Sequence, residues 1–109
     1  MKREIITYNV IEGIHNYPDA PEVVDFLSYP HRHNFVIRCK AEVSHNNREI
    51  EIILLQRKIE RKLKQKFGTV CIFESMSCED IAEWLLKEFF ELNYVEVLED
   101  GYGGAALTR

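Results

Sequence analysis

This 109-residue chain lacks the features that mark several protein classes. Its apolar runs are only a few residues long, far short of the roughly 20 residues a membrane-crossing helix needs. Basic residues form no run, and 14 Lys and Arg against 18 Asp and Glu give a net charge of -4. No phosphate-tracking surface, and hence no nucleic-acid partner, is expected. Met1-Lys2-Arg3-Glu4-Ile5-Ile6 has two basic residues but no apolar core, so no signal peptide is expected there. Three cysteines, an odd number without paired spacing, argue against a disulfide framework and for a reducing, cytoplasmic setting. What remains is an ordinary globular composition, 46% hydrophobic and 29% charged, at a length that makes residues 1–109 one domain.

The most informative stretch is Tyr29-Pro30-His31-Arg32-His33-Asn34-Phe35-Val36-Ile37-Arg38-Cys39. Side chains of a β-strand alternate between two faces. His31, His33, Phe35, Ile37, Cys39, Ala41 and Val43 then share one face, while Arg32, Asn34, Arg38, Lys40 and Glu42 share the other. The strand thus carries two imidazoles at the entrance to an apolar face. A third, His15, ends the preceding strand candidate, Glu4–Ile14. Three neutral imidazoles leave one tetrahedral position open, the ligand-binding form of a zinc site. The plainer alternative is three unrelated strand histidines.

Residues 16–30 hold all three prolines and read as a long loop with a helical turn near Glu22–Leu27. Ser44-His45-Asn46-Asn47 reads as a turn, with His45 solvated, and Arg48–Leu54 as the return arm of a hairpin. From Leu55 the period changes. Leu55, Ile59, Leu63 and Phe67 recur every four residues, an amphipathic helix stopped by Gly68. Its basic residues (Arg57, Lys58, Arg61, Lys62, Lys64 and Lys66) read as a solvated surface, with an anion-binding face as the alternative. Ser77 reads as the N-cap of a second helix that ends near Leu92, with Glu79 and Asp80 in its first turn. Cys78, at that helix start, is expected to have some thiolate character. Asn93–Glu99 reads as a strand with Val95, Val97 and Glu99 on one face, which puts a carboxylate at the end of an apolar row. Gly101, Gly103 and Gly104 form a turn before a short strand, Ala105–Leu107. The expected order is β-β-β-α-α-β-β.

Four segments in this order resemble motifs of one family. Ile11-Glu12-Gly13-Ile14-His15-Asn16-Tyr17-Pro18 is similar to its first-strand motif, and His31-Arg32-His33-Asn34-Phe35 to its His-Gly-His-Asn-Tyr/Phe. Ser75-Met76-Ser77-Cys78-Glu79 is similar to its Asn-Pro-Thr-x-Glu, and Val95-Glu96-Val97-Leu98-Glu99-Asp100 to its Val-x-Val-x-Glu-Thr. Together they resemble the 6-pyruvoyl-tetrahydropterin synthase family, which includes the 6-carboxytetrahydropterin synthases. The resemblance implies an α+β tunnelling fold, an antiparallel sheet with two helices on one face, closed into a barrel by homo-oligomerisation as a trimer or hexamer. It implies zinc on His15, His31 and His33. It also implies that Glu99 anchors a pterin- or guanine-like heterocycle through a bidentate pair of N–H bonds, with Ser77 and Glu79 in the same pocket.

The departures bear on the chemistry. Phe26-Leu27-Ser28-Tyr29-Pro30 contains no counterpart of the family's catalytic Cys, and Gly68-Thr69-Val70-Cys71-Ile72-Phe73-Glu74 contains neither Asp nor His. Loss of a general base costs about 10²–10⁴-fold in rate. The leading expectation is a zinc protein that binds a heterocyclic, nucleotide-derived ligand at a subunit interface without the standard synthase chemistry, as a carrier, sensor or sequestering protein; the catalytic residues are unknown. The alternative is a synthase-like lyase with another acid–base set drawn from Asp19, Glu22, Asp25, Tyr17, Tyr29, Cys71 or Cys78. A third possibility is an oligomerisation module with neither metal nor ligand.

Overall fold

Two long strands, β1 (Arg3–His15) and β2 (His31–Val43), pair antiparallel along their whole length, from Arg3 opposite Val43 to His15 opposite His31. The computed structural model describes residues 1–109. The remaining elements are a 3-10 helix (Glu22–Ser28), α1 (Ile52–Phe67), β3 (Cys71–Glu74), α2 (Cys78–Glu88), β4 (Tyr94–Glu99) and β5 (Gly103–Thr108). The sheet order is β3-β1-β2-β4-β5, an open five-stranded sheet in an α+β fold.

The alternation read from β2 holds: Phe35, Ile37, Cys39 and Ala41 are buried beneath the helices. They join Val95 and Val97 of β4, Leu55, Ile59 and Leu63 of α1, and Ile81, Ala82, Leu85 and Leu86 of α2 in one core. Burial of this apolar surface is the main force holding the helices to the sheet. Over residues 6–10 of β1 the polarity is inverted. Thr7 and Asn9 face the core, while Ile6, Tyr8 and Val10 are exposed on the helix-free face. Asn9 donates from Nδ2 to the Gln56 carbonyl at 3.0 Å, and Gln56 donates back to the Tyr8 carbonyl at 3.2 Å, which pins α1 to β1.

Three expectations are corrected. Arg48–Leu54 is not a strand: α1 begins at Ile52, because the Glu51 carboxylate accepts from the amides of Ile53 and Leu54 and caps the helix. The sheet is mixed rather than antiparallel, because Cys71–Glu74 forms β3 and runs parallel to β1. The element order is therefore β-β-α-β-α-β-β, not β-β-β-α-α-β-β. In addition, α2 ends at Glu88 rather than near Leu92. The basic face of α1 is solvated and partly paired, with Lys58 3.4 Å from Glu91 and Lys62 3.5 Å from Glu88. No helix is long and apolar enough to cross a membrane.

Candidate metal centre

The β1–β2 register puts His15 and His31 directly opposite each other, and strand alternation returns His33 to the same face. The ring centroids lie 4.6 Å apart for His15 and His31, 4.9 Å for His31 and His33, and 5.3 Å for His15 and His33. Phe35 lies against the cluster, edge-on to both His15 and His33. Phe73 packs edge-on to Phe35. Gly13 makes this stacking possible, since a Cβ there would stand 2.6 Å from the Phe73 ring.

Each imidazole is held at Nδ1. His15 Nδ1 lies 2.9 Å from the Met76 carbonyl, His31 Nδ1 2.9 Å from the Tyr29 carbonyl, and His33 Nδ1 2.7 Å from Asp100 Oδ2. A carbonyl oxygen can only accept, so Nδ1 is the donor on His15 and His31, and the Asp100 carboxylate asks the same of His33. In a neutral imidazole this leaves a lone pair on Nε2, the arrangement found in metal-ligating histidines. Asp100 also accepts from the Asn34 amide at 2.9 Å. The His33 ring, and then that amide, hold its carboxyl below the usual carboxylate range.

Glu99 completes the group. One ligand atom each from His15, His31, His33 and Glu99 all lie within 4.8 Å of one another, and this group could hold a metal ion. Glu99 Oε2 stands 2.9 Å from His15 Nε2 and 3.7 Å from His33 Nε2. Neither contact has hydrogen-bond alignment, and both Nε2 atoms are buried without a hydrogen-bond partner. A carboxylate oxygen 2.9 Å from an imidazole nitrogen, with no hydrogen bond formed between them, favours positive charge nearby, either a proton or a metal ion. A proton on His15 Nε2 would serve that one contact and leave His33 Nε2 orphaned. A cation among the four serves them all.

The cluster opens into a cleft of about 520 Å³ lined by His15, His31 and Glu99 together with Tyr17, Ser77 and Glu79. Ser77, Glu79 and Glu99 thus share one cavity. Ser77 sits there because it caps α2: its Oγ accepts from the Asp80 amide while Asp80 accepts from the Ser77 amide, a reciprocal capping box. Of the acid–base candidates, Tyr17 and Cys78 also line the cleft, while Asp19, Glu22, Asp25, Tyr29 and Cys71 do not. Cys71 is buried in the core. The thiolate expected at Cys78 is corrected. Burial first, and then the nearby Glu99 and Glu79 carboxylates, push its thiol up to about 12, outweighing the helix dipole. His45 is in an exposed turn, 3.5 Å from Glu49.

Asp100 is the residue beside the cluster that reading the residues alone does not single out. Its position after Glu99 was visible, but its bond to His33 depends on the turn after β4, where Asp100 takes a left-handed φ of 54°. A scan of the chain against protein-family models finds no match, and a search among curated proteins finds no relative either.

Proposed function

We propose that the chain is a zinc-binding protein of tunnelling-fold type that holds a pterin-like or purine-like heterocycle in the cleft beside the metal, without the standard synthase chemistry. The observation that carries the metal reading is the convergence of three rings, each tied at Nδ1, with Glu99, so that one ligand atom from each of the four residues lies within 4.8 Å of the others. The donor set of imidazoles and one carboxylate suits zinc. His15, His31 and His33 would hold it, and bound zinc would polarise an oxygen of the ligand.

The chain's own residues supply the rest. Glu99 is an acceptor for adjacent N–H donors such as those on the edge of a guanine or a pterin. Ser77 and Glu79 add polar groups to the same wall. Burial raises the thiol of Cys78, which disfavours it as a nucleophile and weakens the lyase alternative. That alternative falls back on Tyr17.

A homo-oligomer, a trimer or hexamer with the barrel closed between subunits, belongs to the same proposal. In its support, β3 and β5 are free sheet edges, and Ile6, Tyr8, Val10 and Ile72 lie exposed on the helix-free face. Three free, buried cysteines fit a cytoplasmic setting.

The test is to load the protein with zinc, identify co-purifying small molecules by mass spectrometry, and add dihydroneopterin triphosphate. A co-purified pterin or purine, or binding without turnover, supports the proposal. Turnover favours the lyase. A protein that carries no such molecule and binds none overturns the ligand reading.

A further inference from the structure

Glu99 has two uses in this site that a single carboxylate cannot serve together. A bidentate pair with adjacent N–H donors takes both carboxylate oxygens, whereas metal coordination takes at least one. In the structure the carboxylate lies on the histidine side of the cleft. Glu99 Oε2 points at His15 Nε2 and His33 Nε2, at 2.9 and 3.7 Å.

The register explains this placement. Glu99 lies opposite Phe35 in the β2–β4 ladder, so it emerges on the same face as the histidines and next to them. On its other side it lies opposite Gly103 of β5. A Cβ built at Gly103 would meet nothing within 4 Å, and Gly103 lines the cleft with Glu99, so the cross-strand neighbour leaves the cleft side of Glu99 uncrowded. The imidazoles have no such freedom, since each is tied at Nδ1. The Glu99 side chain is 35% exposed toward the cleft, against 8% for His15.

We propose that Glu99 is the fourth metal ligand and the gate of the centre, so that the fourth position opens only when its carboxylate leaves. The centre is then closed at rest, unlike the open three-histidine site expected from the sequence. A ligand that recruits Glu99 would expose the metal in the same movement. This inference rests on the metal reading above and adds the regulation of that site.

The experiment uses Co(II) as the probe metal and azide as a small anion that binds an open position. Visible spectra and chelator competition are recorded for the wild type and for Glu99→Gln, which keeps the side chain's shape. The wild type should give a four-coordinate Co(II) spectrum that excess azide leaves unchanged. Glu99→Gln should bind Co(II) at least about tenfold more weakly and respond to azide. A wild-type spectrum that azide shifts would overturn the gate and leave the metal centre standing, and this arm needs no variant to fold. A wild type that binds no Co(II) would remove the metal reading itself, and the gate with it.

Discussion

Asp100 Oδ2 stands 2.7 Å from His33 Nδ1, and its other oxygen, Oδ1, accepts from the Asn34 amide at 2.9 Å. One carboxylate therefore orients a ring of the cluster and ties the turn after β4 to β2. Asn tolerates the left-handed backbone at this position, with φ at 54°, and can keep the amide contact. Asp100→Asn should accordingly fold with a Tm near that of the wild type and bind zinc roughly 10–100-fold more weakly in a chelator competition. Unchanged affinity would show that the carboxylate has no part in holding the metal.

Gly13 lies under the cluster, where an added Cβ would stand 2.6 Å from Phe73 and 3.0 Å from Phe35. Both rings are buried in the core and have little room to yield. Gly13→Ala should cost about 1–3 kcal/mol, read from chemical denaturation. A variant as stable as the wild type would show that the aromatic stack under the histidines can shift freely.

Stability should decline at alkaline pH through Cys39. Burial raises its thiol from the ordinary 9.0 to about 12 in the folded chain. Above pH 9 the unfolded state releases a proton that the folded state still holds. The contribution is therefore fully present below pH 9 and is lost as pH rises toward 12. In denaturation midpoints measured from pH 8 to pH 11, Cys39→Ala should show a shallower decline than the wild type. Parallel curves would contradict a buried, neutral thiol.

Ser77 links fold and cleft, because the hydroxyl that caps α2 also lines the cavity. Ser77→Ala should destabilise the protein by about 1 kcal/mol through loss of the cap. Ser77→Asp keeps a capping oxygen and should restore most of that stability.

The features legible in the sequence were those set by strand alternation. In β2, polar and apolar residues separate by parity with Val36 the one apolar exception on the polar face, so the core face and the direction of His31 and His33 follow directly. The same parity put Glu99 beside Val97 and Val95. The element errors came where local pattern and tertiary setting disagree. Ile50, Ile52 and Leu54 alternate with Glu49 and Glu51 as a strand would, yet Glu51 caps a helix whose first turn leaves Ile52, Ile53 and Leu54 exposed. β3 has four residues, and its pairing with β1 joins positions far apart in the chain. The groups that hold the rings, Met76 and Tyr29 by their carbonyls and Asp100 by its side chain, act through turns that leave no periodic trace.

Whether His15, His31 and His33 hold a metal is decided by metal analysis of purified protein, wild type beside His31→Ala. His31 is partly exposed at the start of β2, so its truncation should leave the core intact. The wild type should carry about one zinc per chain, the number one four-ligand cluster would hold, and the variant clearly less at unchanged secondary structure. A wild type that carries no metal and takes up none from excess zinc would contradict the metal reading.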